Sequence, residues 1–483
     1  MIALDKHSAP LGAAEQFGLD LLLDLSRLLR ADAVADAVRL RVVAGDPVSL
    51  HACRAQGWCI ERQDGCLTIP TGVLRLVTSI SSGEAEQRAP VRDRFGRVPP
   101  SANALVELGI ERVPVVSHAA VALRNAAADV AGRRPFRVLA PWPEGRRWAV
   151  ALSHDLDVVD HWPAFTGLRL AELVRKGDFR RAASVGIAAI RTVARNPVWH
   201  GVRELLDTEQ DIGALSTWFV LCGTPTLATM RAGDLTYRID SALARRILAA
   251  VSSGGHEIGL HGSFATYTNL EVFRAQREHL GRALKRVPRG VRQHYLRMQP
   301  GETQTAMAGA GFDYDSTFGF ADRNGFRLGV ADILPAWNAI DQTGAGIDEV
   351  PFAWMDRALS KYRNVEAPEA WIDDAMSLAT ECRNVDGLWV GVWHPNLTPA
   401  LGFPGAPAAY RKLVGALAAG GPYFGQMSDL VAWRQARRSA RATAILADAS
   451  VSAFAPGATA HPLLLEDGHG RQTGEGVQIA DRA

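Results

Sequence analysis

The chain has 483 residues, 47% hydrophobic and 22% charged, and Lys+Arg 53 against Asp+Glu 51 leaves a formal net charge of +2. That is an ordinary globular composition, long enough for roughly two or three domains, with no global positive field to recruit nucleic acid. No window reaches the roughly 18 unbroken apolar residues of a membrane span. The opening MIALDKHSAPLGAAEQFGLDLLLDL lacks the basic head and apolar centre of a signal peptide, so the expected location is cytoplasmic.

Residues 1–140 predict a mixed α/β domain. LDLLLDLSRLLR carries a helical apolar stripe, while VRLRVVAG and CLTIPTGVLRLVTSI predict strands. Cys53, Cys59 and Cys66 in CRAQGWCIERQDGC are spaced more widely than structural zinc ligands usually are. The five cysteines of the chain are expected as reduced thiols. The Pro- and Arg-rich run RRPFRVLAPWPEGRR predicts a linker.

From residue 141 the pattern changes. WAVALSHD, LSTWFVLCG, HEIGLHGS, GVRQHYL and GLWVGVWHP are short apolar runs, as expected of strands covered on both faces in a parallel sheet. Helical segments alternate with them, among them DSALARRILAAVSSGG, with Asp240 or Ser241 as cap and Gly254–Gly255 as stop. The alternation predicts a β/α barrel or a doubly wound sheet. Polar residues decide for the barrel, because His154, Asp155 and Asp157, then His261, then Arg292 and His294, then His394 each follow such a run. The C-terminal ends of barrel strands converge on one face, where catalytic residues gather. Residues 161–210 predict a helical insertion. Its stretch 167–206 is net basic with interleaved apolar positions, and reads either as peripheral contact with an anionic membrane or as a solvated helical hairpin. Residues 439–483 form a C-terminal extension, either a short strand pair or an irregular tail.

In order and spacing, ALSHDLD, GGHEIGLH, GVRQHYLR and VGVWHP resemble the motifs of the polysaccharide deacetylase (NodB-homology) family. YDSTFGFADRNGFRLG, EVPFAWMDRALSKY and RQHYLR resemble a bacterial branch found with exopolysaccharide and capsule genes; that branch carries an N-terminal domain of unknown role, a segment of which VRDRFGRVP resembles. The resemblance covers most of the chain apart from roughly its last 45 residues. It implies a distorted β/α barrel preceded by the smaller mixed domain. It also implies a metal-dependent hydrolase that removes an N-acetyl group from a sugar or polysaccharide precursor. Asp155 then matches the general base and His394 the general acid. Arg292 matches the residue orienting the base, and the Tyr295 amide matches an oxyanion donor.

Two positions depart from the family pattern. Leu156 separates the two aspartates, which are adjacent in the family; in an extended strand, positions i and i+2 still share a face. Ala265 stands where a second histidine belongs, four residues after His261. His294 is the best replacement, so Asp157, His261 and His294 are the expected ligands of a divalent metal, with zinc the expected ion. The bland alternative has His294 bonded to a loop and the metal site decayed. His154 and His256 are expected to be supporting or structural. Carbohydrate is the expected partner. The runner-up function is a barrel that has lost catalysis and binds carbohydrate or an assembly partner. A hydrolase of another C–N bond is a third possibility, since a barrel does not fix its substrate.

Overall fold

From Ala149 the chain builds a curled parallel sheet, adding one strand at a time. The computed structural model describes residues 1–31, 37–63, 65–132, 136–160, 162–192, 196–224, 234, 237–365, 367–445, 451–454, 465–467 and 477–479. Strand Ala149–Leu156 lies at the centre, followed on one side by Thr217–Leu221, Glu257–Gly262, Gly290–Gln293, Tyr314–Asp315 and Thr343–Glu349, all parallel. Leu388–Val392 and Trp354–Met355 extend the other side. Leu334–Asn338 adds an antiparallel edge on Thr343–Glu349. The two edge strands do not pair with each other among the described residues, so the fold is a distorted, incompletely closed β/α barrel.

The reason for a parallel sheet is visible strand by strand. Ala149–Leu156, Thr217–Leu221, Glu257–Gly262, Gly290–Gln293 and Leu388–Val392 are buried at every position, which helices on one side and packed side chains on the other make possible. Helix Ala242–Ser253 shows how the connections are specified. The Ser241 side chain accepts from the Ala244 amide, Ala244, Ile247, Leu248 and Val251 are buried, and Gly254 takes the C-cap.

The insertion comprises helices Trp162–Arg175, Phe179–Thr192 and Pro197–Gln210. The last of these packs closely, with Val198, Val202, Leu205 and Leu206 buried. Phe179–Thr192 buries only Ala182 and Val185.

The first sheet contains Glu61–Gln63, Cys66–Pro70, Val38–Val43, Ile2–Leu4 and Arg30–Ala31 in that order, and then continues into Arg441–Ile445, Val451–Phe454 and Val477–Ile479. The C-terminal extension thus supplies strands to the N-terminal sheet. Two local expectations change. TGVLRLVTSI is the helix Thr71–Ser81, because Val73, Leu74, Val77 and Ile80 fall at helical spacing and bury one stripe beside helix Ala13–Leu25. Its β-branched content is overridden by that packing. The expected linker contains strand Arg137–Leu139, which pairs with Leu465–Asp467. Trp142 is fully buried there and donates its Nε1–H to the Asp386 carbonyl at 2.9 Å. All five cysteines are free. Among the described residues, no helix is long and apolar enough to cross a membrane.

Candidate active site

Four strand ends and the loops after them bring Asp155, Asp157, His261, His294, Tyr295 and His394 around one cavity. Asp155 lies near the end of the first barrel strand and Asp157 just beyond it. Leu156 between them turns into the core at 1% exposure, so the i, i+2 geometry keeps both carboxylates on the cavity side. His261 ends the Glu257–Gly262 strand. A Cβ on the following Gly262 would fall 1.9 Å from Gln293 Oε1, so glycine leaves room there for the Gln293 side chain. His294 follows Gly290–Gln293 in a tight turn in which Tyr295 and Leu296 take left-handed φ values of 61° and 55°.

Asp157, His261 and His294 place one ligand atom each within 4.8 Å of one another. His261 Nε2 is 3.2 Å and His294 Nε2 3.6 Å from Asp157 Oδ1. The other ring nitrogens are committed, with His261 Nδ1 2.8 Å from the Arg292 carbonyl and His294 Nδ1 3.0 Å from Asp234 Oδ1. Each Nδ1 must donate there, which leaves both Nε2 atoms of the neutral rings as acceptors. Asp157 Oδ1 is itself buried without a hydrogen-bond donor. Three lone pairs therefore face one point, an arrangement that needs either additional protons or a cation. A carboxylate with two imidazoles, oriented by outer partners such as Asp234 and the Arg292 carbonyl, is a donor set suited to a first-row divalent metal. With protons alone, burial disfavours the His294 imidazolium, but Asp157 and Asp234 outweigh it and lift its pKa above the ordinary histidine range.

Asp155 Oδ1 accepts from Arg292 Nη1 at 2.8 Å. Arg292 is fully buried and also donates to Ser153 Oγ, the Ser316 carbonyl and Ser316 Oγ at 2.8–3.0 Å. Burial works against the ionised Asp155 carboxyl, yet the guanidinium, helped by His261 and His394, holds it below the usual range. Its Oδ2 lies 3.8 Å from His261 Nε2. Across the cavity, His394 Nδ1 meets Asp356 Oδ1, and its Nε2 is 3.6 Å from Asp157 Oδ2. Burial opposes the His394 cation, but Asp356 overcomes this and raises its pKa.

The N-terminal segment 91–99 reaches the same cavity. The Phe95 ring stacks on Tyr295 at 4.9 Å, Tyr295 stacks on His294 at 4.0 Å, and Arg97 Nη1 donates to the Tyr295 carbonyl at 3.2 Å. Arg97 itself lines the cavity. His154 and His256 point away from it. His154 Nε2 is 2.6 Å from Glu209 Oε1, while His256 Nδ1 is 3.0 Å from Ser216 Oγ, which donates to Glu209 Oε2. Ala265 is exposed on the turn after His261 rather than on a helical turn above the site, and the second nitrogen of the set belongs to His294.

Asp234, Asp356 and Arg97 were not singled out by sequence reasoning. Asp356 lies two residues before the turn Ala358–Tyr362, and Asp234 lies in a connection where no apolar periodicity marks it. A search for carboxylates able to satisfy the second nitrogen of each site histidine would have been the signal.

Fold and site together define an α/β barrel with a candidate metal centre flanked by an oriented carboxylate and an oriented histidine. No family model matches the chain, and no curated protein matches it. Among solved structures, the chain is similar to a "probable polysaccharide deacetylase" from Pseudomonas aeruginosa PAO1, at 16% identity and TM-score 0.40, covering 61% of this chain and 93% of that one. It is also similar to PuuE allantoinase, at 15% identity and TM-score 0.36, covering 63% and 95%. A third similar structure is the peptidoglycan deacetylase PdaC from Bacillus subtilis, at 13% identity and TM-score 0.28, covering 59% and 89%.

Proposed function

We propose that the protein is a metal-dependent N-deacetylase that hydrolyses an N-acetyl group on a sugar or polysaccharide precursor. The observation that carries this reading is the convergence of Asp157 Oδ1, His261 Nε2 and His294 Nε2 between the Asp155–Arg292 and His394–Asp356 pairs. Asp157, His261 and His294 would hold the ion, with zinc suited to these donors. A bound divalent ion supplies Lewis acidity toward water and the acetyl oxygen. Asp155, kept ionised by Arg292, accepts the proton of the attacking water through its Oδ2. The backbone amide of Tyr295, on the turn clamped by Arg97 and Phe95, donates to the oxygen that gains charge. His394, kept cationic by Asp356, protonates the departing nitrogen; the C–N bond breaks, leaving acetate and a free amine.

The exposed helices of the insertion support peripheral contact with an anionic membrane. Leu168, Val174, Phe179, Ile187 and Ile190 are all exposed, and Phe179, Ala183, Ile187 and Ile190 share one helical face beside Arg180 and Arg191.

The test of function is acetate release from N-acetylated oligosaccharides, before and after removal and return of divalent metal. Release that depends on the metal supports the reading. Oligosaccharide binding without release under any metal condition replaces it with the binding-barrel alternative.

A further inference from the structure

A second groove continues outward from the catalytic cavity, sharing Phe165, Arg357, Lys361 and Asn396 with it and running on past Trp371 and Phe403. Cations line it, but most have carboxylate partners. Arg169 and Lys176 both hold Glu172, and Arg181 faces Asp178. Arg357 and Lys361 differ. Among the described residues, neither forms an ion pair or a hydrogen bond; their contacts are to aromatic faces, Arg357 5.5 Å from the Phe403 centroid and Lys361 5.5 Å from that of Tyr362. They stand four residues apart, at the start and within the single π-turn Ala358–Tyr362, which is closed by the Arg363 amide donating to the Ala358 carbonyl. Such turns are rare and recur at functional sites. Like charges at this spacing repel, and crowding in the groove followed by the neighbouring Arg357 lowers the Lys361 pKa, although Tyr362 pulls the other way. An oxyanion between the two would relieve both effects. Arg357 directly follows Asp356, the partner of the proposed general acid, and both cations line the cavity that His394 lines.

Building on the deacetylase reading, we infer that Arg357 and Lys361 form an oxyanion subsite selecting a negatively charged saccharide, whose carboxylate or phosphate lies next to the N-acetyl sugar at the catalytic cavity. Arg357 can bind such a group through two parallel N–H donors, and Lys361 adds a point charge.

The experiment measures binding to the full chain by calorimetry, independently of turnover. The probes are neutral chitohexaose, a hyaluronan hexasaccharide that alternates N-acetylglucosamine with glucuronate, and UDP-N-acetylglucosamine. Wild type should bind at least one anionic probe about tenfold or more tighter than chitohexaose, the difference expected of one charge-assisted contact. Arg357→Gln and Lys361→Gln should each erode that preference and the double variant abolish it, with affinity for the preferred anionic probe falling at least about fivefold more than that for chitohexaose. Arg357→Lys should retain part of it. Preference for the hyaluronan probe alone assigns a carboxylate, and preference for the nucleotide sugar alone assigns phosphate. Equal affinities across the probes, including uniformly weak ones, overturn the inference, as does equal loss for neutral and anionic probes in the variants. Should Arg357→Gln not fold, the exposed Lys361→Gln carries the same comparison. An intact anion preference without acetate release overturns only the deacetylase reading, whereas metal-dependent release with no preference overturns only the subsite.

Discussion

Asp356 grips His394 at two points: its Oδ1 lies 2.6 Å from Nδ1, and its Oδ2 accepts the His394 backbone N–H at 2.7 Å. Asp356→Asn keeps the shape but presents an amide donor to one of those atoms, which disfavours the imidazolium. We expect kcat to fall at least about tenfold with KM little changed, and His394→Ala to lose roughly two to four orders of magnitude. Initial rates of acetate release from an N-acetylated oligosaccharide check this. Full turnover in His394→Ala removes the assignment of the acid.

Metal content tests the centre itself. Protein purified without chelator should carry about one divalent ion per chain, and His261→Ala, His294→Ala and Asp157→Asn should each lose most of it. Asp234→Asn, which loosens only the outer partner of His294, should weaken affinity roughly 10- to 100-fold. Elemental analysis and competition with a chelating dye give both values. A metal-free wild type, with no difference among the variants, would mean a vacated site.

Much of this site was legible in the sequence because its residues end apolar runs, and strand ends of a β/α barrel share one face. Asp155, Asp157, His261, Arg292, His294 and His394 all stand out in that way; the structure places five of them around one cavity and buries Arg292 against Asp155. Asp234 and Asp356 were invisible because their roles depend on histidines distant in the chain. Arg97 was hidden more deeply still, since it comes from the other end of the sheet system. The helix Thr71–Ser81 was misread as strand because β-branched residues outvote spacing in a short window, whereas burial against a neighbouring helix decides the outcome. The C-terminal strands could not be placed, because strand pairing between opposite ends of a chain leaves no local signal.

Glu209 ties the insertion to the barrel. His154, Ser216 and Tyr410 all bond to its buried carboxylate, whose pKa burial pushes up but His154, with the hydrogen bonds, brings below the ordinary value. Glu209→Ala strands these partners without an acceptor, at an expected cost of about 3–5 kcal/mol. Urea unfolding monitored by tryptophan fluorescence reads that loss; a change below about 1 kcal/mol would show the network to be dispensable.

Asp315 and Glu349 sit in register on adjacent parallel strands, each with one buried carboxylate oxygen lacking a donor. Burial, and for Glu349 the neighbouring Asp315, pushes both carboxyls above their ordinary range, so the folded pair retains a proton that the unfolded chain releases. Stability from this pair is complete below the ordinary carboxylate range and declines as pH rises above it. Asp315→Asn should flatten the difference between urea midpoints at about pH 5 and about pH 8. An unchanged difference would exclude the shared proton.

The membrane-facing reading of the insertion makes its own demand. Flotation with anionic vesicles should weaken with salt, with Arg180→Glu and Arg191→Glu, and with Phe179→Ser and Ile187→Ser. No association at low salt leaves a solvated helical hairpin.

The first sheet joins Arg30–Ala31 to Arg441–Ile445 in parallel register. During synthesis, the early half of that sheet emerges with its Arg30 edge unpaired and must wait until the barrel has been made before its neighbour arrives. An open strand edge is a template for wrong partners, including other nascent chains. The barrel is thus threaded between two halves of a single sheet, and the sheet can close only once Arg441–Ile445, made after every barrel strand, has emerged.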